Sequence, residues 1–336
     1  MNREQRGRPS QIWVVASFIL VAGLALTPAA IDAYSLTVVR DALIFGLLAL
    51  SLDYLWGKSG LLSFGHAAFF GIGAYGVAII GPKVAGANAA LAGLLVGEAT
   101  AIAVAGLVGY FLIFGGVRGP YFTIVTLAIT LVAQHIAIGW SRVTGGDAGL
   151  IGAPPPGLEL FGISYSMTDP VEQYFLVLAI AALCLGSLWL ACRGHYGRVL
   201  AAIQDNEMRA RSLGYNTSLH LLIVFVLSAA MAALAGSLYA VVSGYVAPDL
   251  VGLLLSTEII VWVAVGGRGT LVGPMIGAFL IIRLQQEVST INPRLWPMII
   301  GIFFVALVFL FPDGVLPILR RGARRLIGLI GRERRT

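Results

Sequence analysis

The sequence predicts an all-α, polytopic bundle of membrane helices, on three observations. Hydrophobic residues make up 58% of the 336 residues and charged residues only 11%, whereas a soluble domain carries about a quarter charged residues. The apolar residues occur in long runs, and the charged residues lie mostly between these runs. Most of the chain is therefore expected to face lipid rather than water.

Ten apolar segments are candidate membrane helices, since a helix needs roughly 20 apolar residues to cross the hydrocarbon. The second, eighth, ninth and tenth are short, which is typical of broken, re-entrant or protein-shielded helices, so the expected number of spans is about 8 to 10. The segments run from Ile12 to Ala30, Ala42 to Trp56, Leu61 to Ile80, Ala89 to Phe114, Tyr121 to Trp140, Tyr174 to Ala191, Leu221 to Val242, Leu250 to Val265, Leu271 to Ile282 and Trp296 to Phe311.

The basic residues predict the orientation, because Lys and Arg concentrate in cytoplasmic loops. With both termini in the cytoplasm, all but five of the 22 basic residues fall on the cytoplasmic side or in the tail. The five exceptions are Arg40, Lys83, Arg142, Arg283 and Arg294. The net charge of +6 is therefore expected to meet anionic membrane lipid and not nucleic acid.

This orientation divides the chain into a cytoplasmic N-terminus (1–11), a transmembrane domain (12–318) and a basic cytoplasmic tail (319–336). The first segment also resembles a secretory signal peptide. We expect it to be retained as a helix, and its removal is the alternative.

Two short patterns imitate nucleotide-binding motifs. Gly57-Lys58-Ser59 matches the end of a phosphate-binding loop, but Leu52 stands where the first glycine belongs. GIGAYG, from Gly71 to Gly76, lies inside an apolar run with no βαβ unit around it, so close helix packing is the preferred interpretation. We expect no nucleotide site, no bound cofactor and no enzymatic activity in this chain, and the four scattered histidines indicate no metal site.

Five ionisable residues fall within predicted spans, where a charge is costly unless it is paired or faces water. Asp53 and His66 flank a predicted cytoplasmic turn, and hydrogen bonding across that turn is one interpretation of both. Glu98 and Glu258 lie deeper and would be proton relays in an ion-coupled carrier, which is the main alternative mechanism. The fifth ionisable residue within a predicted span is His135.

The segment 193–219 is the longest predicted cytoplasmic insert. Asp205 with Arg209, and Glu207 with Arg211, are acid-before-base pairs at i,i+4, which predicts one helix from Arg198 to Leu213 that Gly214 ends. Thr217 or Ser218 is expected to cap the next membrane helix. The segment is interpreted either as a solvated loop helix or as a docking helix whose Val199, Leu200 and Ile203 enter a groove on a cytoplasmic ATPase.

The predicted outer loop, 141–173, contains Gly145, Gly146, Asp147 and the run Pro154 to Pro156. Proline stiffens such a loop and glycine turns it. Two roles stay open: the loop receives a partner that delivers substrate, or it covers the helix ends.

The stretch ALSLDYLWGKSGLLSFGHAAFFGIGAYG, from Ala49 to Gly76, resembles the signature of LivM-type permeases of branched-chain amino acid ABC transporters. Further blocks match in the same order, and the resemblance extends over residues 42–314. They are RGPYFTIVTLAIT from Arg118, TGGDAGLIG from Thr144, GRVLAAIQDNEMRARSLGYN from Gly197 and PDLVGLLLSTEIIVWVAVGGRGTLVGPMIGAFL from Pro248.

The resemblance implies a non-catalytic, multi-pass subunit of the bacterial cytoplasmic (inner) membrane. Its implied partners are a LivH-like second permease, two cytoplasmic ATPase subunits that bind ATP and Mg²⁺, and a periplasmic substrate-binding protein. The implied substrates are leucine, isoleucine and valine. The segment from Val261 is also similar to urea and short-amide permeases, so urea, short amides or other small carboxylates are alternative substrates.

Two groups of residues are the predicted working parts. The ATPase-coupling segment comprises Gly197, Arg198, Ile203, Asp205, Asn206, Glu207, Arg209, Arg211 and Gly214. The candidate translocation path comprises Ser63, His66, Phe69, Phe70, Glu98, Tyr121, Thr123 and Glu258.

Overall fold

The computed structural model describes residues 27–29, 32–160, 163–291, 298–299 and 301–302. Helices dominate this part of the chain, as predicted. The α-helices in chain order are α1 Ala33–Ser59, α2 His66–Ile80, α3 Ala89–Phe114, α4 Pro120–Gly139, α5 Ser141–Thr144, α6 Pro170–Arg193, α7 His195–Asp205, α8 Glu207–Ser212, α9 Thr217–Ser243, α10 Leu253–Gly266 and α11 Val272–Ile291.

Five of these helices (α1, α3, α4, α6 and α9) are long and apolar enough to cross a membrane, and α10 is a shorter apolar helix. Most residues of α1 and α9 are buried, and these helices form the centre of the bundle, whereas only about a quarter of the residues of α3, α4 and α6 are buried. Eight of the ten predicted segments coincide with described helices. The first and tenth segments lie mainly outside the described residues, and residues 1–11 and 319–336 lie wholly outside them.

The predicted short segment Ala42 to Trp56 is wrong in its length, because α1 has 27 residues. The helix includes Arg40 and Asp41, where the apolar pattern stops. Arg40 is buried, and it donates hydrogen bonds at 2.9 Å to Asp41 and to Gln173 of α6. The charges are accommodated because they are paired, which hydropathy cannot predict.

Two other segments predicted to be short have different outcomes. α10 has 14 residues and is short, as predicted. α11 has 20 residues and continues past the predicted end at Ile282, through Arg283 and Glu287. The apolar pattern again stops at a charge that the helix includes.

The predicted outer loop 141–173 folds over the helix ends and adds three short strands to the predicted all-α fold, and a fourth strand follows α9. Asn88 holds the loop to the start of α3, since its side chain donates to the Glu159 carbonyl at 3.1 Å and accepts from the Glu159 amide at 2.9 Å. The loop therefore covers helix ends; whether it also receives a partner stays a prediction. The antiparallel pairs are β1 Leu150–Ile151 with β4 Tyr245–Val246, and β2 Gly157–Leu160 with β3 Ile163–Ser166.

Glycine lets α2 approach α3 and α9 closely, as the GIGAYG pattern predicted. A Cβ atom on Gly73 would lie 1.9 Å from the carbonyl oxygen of Ala233 in α9, and one on Gly76 would lie 2.4 Å from the Cα of Gly97 in α3. Neither distance leaves room for a side chain. The dinucleotide-like pattern is therefore a helix-packing surface.

Glycine also allows α10 and α11 to pack closely. A Cβ atom on Gly273 would lie 2.2 Å from the carbonyl oxygen of Gly266, and one on Gly277 would lie 2.1 Å from that of Trp262. The two helices therefore pack backbone against backbone directly after the turn between them.

Asp53 ties the end of α1 to the turn between α10 and α11. Its fully buried carboxylate accepts hydrogen bonds from the backbone amides of Gly269 and Leu271, the second at 3.0 Å. Leu271 has a φ of +64°, a left-handed conformation that costs a residue with a side chain about 1–2 kcal/mol. Asp53 thus holds a strained turn in place. The interpretation that it hydrogen-bonds across the turn at 60–65 is wrong, because its partners are Gly269 and Leu271.

Bonds in the opposite direction complete this connection, which we call the α1 joint (Asp53, Trp56, Lys58 and residues 268–271). Lys58 Nζ donates to the Gly269 carbonyl at 2.8 Å, and the Arg268 guanidinium donates to the Trp56 carbonyl at 3.0 and 3.2 Å. These bonds satisfy backbone carbonyls near a helix end and in a turn. Gly57-Lys58-Ser59 is therefore the end of a helix bound to protein backbone. We call this side of the bundle the basic end.

Gly73→Ala is expected to destabilise the protein by about 1–3 kcal/mol, because the added methyl group forces α2 away from α9. Thermal unfolding of the purified protein in detergent measures this as a lower melting temperature. Gly106→Ala is the matched control, since a Cβ atom at this glycine of α3 would meet nothing within 4 Å. Equal melting temperatures for the two variants would contradict the close packing of α2 on α9.

Asp53→Asn is expected to loosen the α1 joint, because the variant keeps the volume but loses the charge and one acceptor oxygen. Hydrogen bonds to a charged group are worth about 1.5–3 kcal/mol, so the melting temperature should fall and trypsin should cleave faster after Arg268. Asp205→Asn is the control, because that carboxylate is exposed and lies 3.9 Å from its partner Arg209. Unchanged cleavage after Arg268 in Asp53→Asn would show that Asp53 does not hold the turn.

Candidate coupling site and translocation path

The segment 193–219 forms two short helices, so the single helix predicted from Arg198 to Leu213 is wrong. α7 and α8 are separated by Asn206, which is extended at φ −161° and ψ 103°. Its side-chain oxygen accepts a hydrogen bond from the Arg209 amide at 2.9 Å. Asparagine is a strong N-cap, and here it starts a second helix where the charge pattern predicted continuity.

The two predicted i,i+4 ion pairs are present. Asp205 and Arg209 lie 3.9 Å apart across the helix break, and Glu207 and Arg211 lie 3.3 Å apart on α8. Gly214 follows α8 with a φ of +89°, as expected of a helix stop.

Glu207 is the centre of an ionic cluster that charge spacing along the chain does not reveal. Its two oxygens accept hydrogen bonds from the Arg118 guanidinium at 2.9 and 3.0 Å, a bidentate arrangement. One of them also accepts from Arg211 at 3.3 Å and from the Thr217 hydroxyl at 3.1 Å. Arg118 donates further to the Ile113 carbonyl at 2.9 Å, at the end of α3. The Glu207 cluster (Arg118, Glu207, Arg211 and Thr217) thus connects the ends of α3, α8 and α9.

The hydrogen bond from Arg118 is the main cause that holds the pKa of Glu207 below its usual value. A lowered pKa means that the ionised form is favoured by folding, so the cluster is intact at neutral pH. It weakens only as the pH falls through the acidic range in which Glu207 becomes protonated.

The start of α9 differs from the prediction. Asn216 caps this helix, since its side-chain oxygen accepts a hydrogen bond from the Leu219 amide at 3.1 Å. Thr217 is not the cap, because its hydroxyl group is bound to Glu207, and Ser218 is not the cap either.

The apolar face of α7 packs inside the protein, so its predicted insertion into an ATPase groove is wrong. Val199, Leu200 and Ile203 are buried, because α7 lies against α1 and α6. The most exposed large apolar side chains of this segment are Met208, 72% exposed, and Leu213, 71% exposed. The outward surface of the segment is therefore α8 and the residues that follow it.

Gly197 has a structural task at the turn into α7. A Cβ atom there would lie 1.9 Å from the Cys192 carbonyl oxygen, so only glycine lets the chain fold back against the end of α6. Arg198 is exposed and makes no ion pair with a described residue.

The third predicted segment, Leu61 to Ile80, is a broken helix. α2 begins only at His66, and residues 60–65, which we call the broken segment, are irregular. Leu61, Ser63 and Gly65 of this segment are nevertheless buried. Irregular backbone at membrane depth is tolerated only where protein or water satisfies its polar groups.

Hydroxyl groups satisfy the backbone of the broken segment. Thr126 accepts a hydrogen bond from the Phe64 amide at 3.1 Å, and Thr130 donates to the Phe64 carbonyl at 2.8 Å. Ser256 of α10 donates to the same carbonyl at 2.8 Å, and Thr123 donates to a second carbonyl at 3.0 Å. The three threonines share one face of α4, since they lie three and four residues apart.

Three predicted path residues, Ser63, His66 and Thr123, gather at the broken segment. The Ser63 hydroxyl accepts a hydrogen bond from the Gly65 amide at 3.0 Å. Both ring nitrogens of His66 are buried and make no hydrogen bond to a described residue, although the backbone of Ser51 lies close. A groove of about 400 Å³ opens beside the segment, lined by Gly60, Leu62, Gly119, Pro120, Thr123 and Ile124.

The predicted aromatic path residues point to different places. Phe69 is buried with its ring 5.7 Å from that of Phe225, and Phe70 is buried with its ring 5.9 Å from that of Phe45. Tyr121 is 74% exposed at the start of α4. The three therefore do not line one continuous wall within the described chain.

Glu98 and Glu258 lie on helices with different neighbours. Glu98 is on α3, which packs against α2 and α9, whereas the buried Glu258 is on α10, which packs against α1 and α11. His135 is exposed on α4. In the described part of the chain, no three His, Cys, Asp or Glu side chains form a group that could hold a metal ion.

Arg118 is a functional candidate that the sequence predictions placed only on the cytoplasmic side. The sequence around Arg118 indicates this role, because a basic residue that follows helix-ending glycines can bind the last carbonyls of the helix. Its bidentate bond to Glu207, 89 residues away, follows from tertiary structure alone.

Comparison with known proteins agrees with the resemblance noted in the sequence. Residues 34–308 match the sequence family described as branched-chain amino acid transport system, permease component. The high-affinity branched-chain amino acid transport system permease protein LivM of Salmonella typhimurium (strain LT2) is 29% identical over 311 residues, which cover 85% of this chain and 71% of the relative. LivM of Escherichia coli (strain K12) is 28% identical over 339 residues, or 91% and 76% of the two chains.

A relative with another named substrate is also similar. The autoinducer 2 import system permease protein LsrC of Salmonella paratyphi B is 26% identical over 219 residues, which cover 63% of this chain and 62% of the relative. No solved structure matches the chain at a significant level.

The match covers most of the bundle, including the broken segment, the Glu207 cluster and the α1 joint. Together with five apolar helices of spanning length, it identifies a multi-pass protein of the bacterial cytoplasmic membrane. The chain belongs to the family of permease components of branched-chain amino acid ABC transport systems.

Proposed function

We propose that this chain is a membrane-spanning permease subunit of an ABC importer for branched-chain, hydrophobic amino acids. A periplasmic binding protein delivers the substrate, and partner subunits hydrolyse ATP. The Glu207 cluster carries the proposal, because it binds a short exposed helix, α8, to the ends of two long membrane helices, α3 and α9. A force applied to α8 from outside the bundle therefore reaches the membrane helices through charged, directional bonds.

The proposed topology places the basic end in the cytoplasm. Lys58, Arg118, Arg209, Arg211 and Arg268 all lie at that end, as the preference of basic residues for cytoplasmic loops requires. In this arrangement the chain has about ten segments and cytoplasmic termini, and the loop 141–173 faces the binding protein.

The proposed partners are a LivH-like second permease and two cytoplasmic ATPase subunits. ATP and Mg²⁺ are bound by the ATPases, and this chain binds no cofactor. Met208 and Leu213 are the proposed apolar contacts with an ATPase, since they project beside Arg209 and Arg211 on the exposed face of the coupling segment.

The substrate assignment is supported by the two LivM relatives, which match more of this chain than LsrC does. Urea, short amides and the LsrC type of substrate are the alternatives within the family. An ion-coupled carrier is the alternative of another class. Glu98 and Glu258 lie on helices with different main neighbours, which does not favour a direct relay between them.

Uptake of radiolabelled leucine into vesicles tests the proposed function. The vesicles contain this chain, the second permease and the ATPases, with the binding protein and ATP on the appropriate sides. We expect uptake that requires ATP, continues when an uncoupler removes the proton gradient, and is not reduced by excess urea or acetamide. Uptake without ATP that the uncoupler abolishes would contradict the proposal and support an ion-coupled carrier.

Charge exchange at the Glu207 cluster tests the coupling role. Arg118→Glu and Glu207→Arg are each expected to lower ATP-driven uptake about tenfold or more, because each leaves two like charges facing one another in a partly buried site. The double exchange should recover part of the activity, since it restores an opposite-charge pair. ATP hydrolysis by the partner subunits should continue in the single variants, which separates coupling from assembly.

Exchange of Asp205 and Arg209 is the matched comparison, because the charged groups of this exposed neighbouring pair are 3.9 Å apart and hold no membrane helix. Each single variant of this pair should lower uptake much less than Arg118→Glu or Glu207→Arg does. If exchange of either pair has the same effect, or if the Arg118 and Glu207 single variants transport normally, the cluster does not transmit force.

A further inference from the structure

An aromatic cluster lies at the centre of the bundle, where four helices meet. The ring of Phe45 in α1 lies 5.9 Å from that of Phe70 in α2, 5.6 Å from that of Tyr239 in α9 and 5.4 Å from that of Trp262 in α10. Phe70 and Trp262 are fully buried, but Phe45 and Tyr239 are partly exposed. The cluster is therefore open on one side.

A carboxylate lies one helical turn from Phe45 on α1. Asp41 precedes Phe45 by four residues on α1, so the two side chains share one face of the helix, one turn apart. Asp41 is also within electrostatic range of the Tyr239 side chain. Because Arg40 binds Gln173, in the first turns of α6, Asp41 is on the side of the bundle opposite to the basic end.

Asp41 is bound differently from the carboxylate of the Glu207 cluster. Arg40 contacts only one of its oxygens, with its Nε at 3.1 Å and its Nη2 at 2.9 Å, and the second oxygen has no hydrogen-bond partner among the described residues. The side chain is 39% exposed, compared with 25% for Glu207, which uses both oxygens. A pair that served only to neutralise Arg40 would not need to leave half of the carboxylate accessible inside a membrane helix.

We propose that Asp41 and the faces of Phe45 and Tyr239 form a binding site for an apolar molecule that carries an ammonium group. The free oxygen of Asp41 binds the ammonium group, and the aromatic rings bind both the cation and the adjacent apolar chain. The site deepens the proposed function and rests on it, because a hydrophobic amino acid released by a binding protein has this combination of groups. The aromatic surface then leads the substrate from the opposite end toward Phe70 and the centre of the bundle.

The test is direct binding of tritiated leucine to the assembled complex in lipid nanodiscs, without the binding protein. Two competing ligands test separately the contributions of the ammonium group and of the carboxylate group of leucine. 3-Methylbutan-1-amine keeps the ammonium group and lacks the carboxylate, and 4-methylpentanoate keeps the carboxylate and lacks the ammonium group. We expect the amine to compete with leucine and the acid not to compete.

Asp41→Asn is expected to weaken leucine binding about tenfold, the change given by loss of one ion pair of about 1.4 kcal/mol, and to abolish competition by the amine. Asp147→Asn makes the same chemical change in the exposed loop 141–173 and should leave binding unchanged. Asp41→Glu keeps the charge and should retain competition by the amine, which covers the case in which the asparagine variant does not assemble.

Competition by the acid as strong as that by the amine would overturn the site, as would no saturable leucine binding to the wild-type complex. A lower melting temperature for Asp41→Asn with unchanged leucine binding would also overturn it, because Asp41 would then be only the partner of Arg40. These failures leave ATP-dependent uptake by the wild-type complex intact, so they are distinguishable from failure of the proposed function.

Discussion

The requirement that every backbone polar group find a partner inside the membrane governs the centre of this protein. A helix meets that requirement by itself, whereas the broken segment 60–65 cannot. Thr123, Thr126 and Thr130 of α4 and Ser256 of α10 supply the missing partners. α2 can therefore begin in the middle of the bundle only while α4 and α10 stay against it, and any movement of α4 must either carry the broken segment along or break these bonds.

Charged residues join this constraint to the basic end. Arg118 lies two residues before α4 and is bound to Glu207, so the helix that holds the broken segment starts beside the Glu207 cluster. The α1 joint lies nearby, and Gln204 of α7 donates to the Gly57 carbonyl at 3.1 Å. The short helices α7 and α8 are thus bound to the end of α1 and to Arg118, two residues before α4. In the proposed importer, this is the arrangement through which an ATPase would move the centre of the bundle.

Several parts of this arrangement were predictable, because they depend on residues close together in the chain. The apolar runs predicted eight described helices, the glycine spacing in GIGAYG predicted close packing, and the acid-base spacing predicted the pairs of Asp205 with Arg209 and Glu207 with Arg211. The errors have one origin. The predicted second segment began after Arg40, because the sequence does not show that Gln173 binds this charge. The apolar face of α7 was assigned to a separate protein, because the sequence does not show its contacts with α1 and α6.

By itself, the sequence determined that most of this protein faces lipid, where most of its helices lie and to which family it belongs. Apolar length, glycine spacing and ordered motifs are properties of neighbouring residues, so they can be recognised without the fold. Only the tertiary structure decided which polar groups meet: Arg118 with Glu207, Asp53 with the turn at Gly269 to Leu271, and the α4 threonines with the broken segment. These contacts join residues far apart in the chain. In a low-dielectric bundle a polar group is stable only beside its partner, and that partner is chosen by the packing of helices.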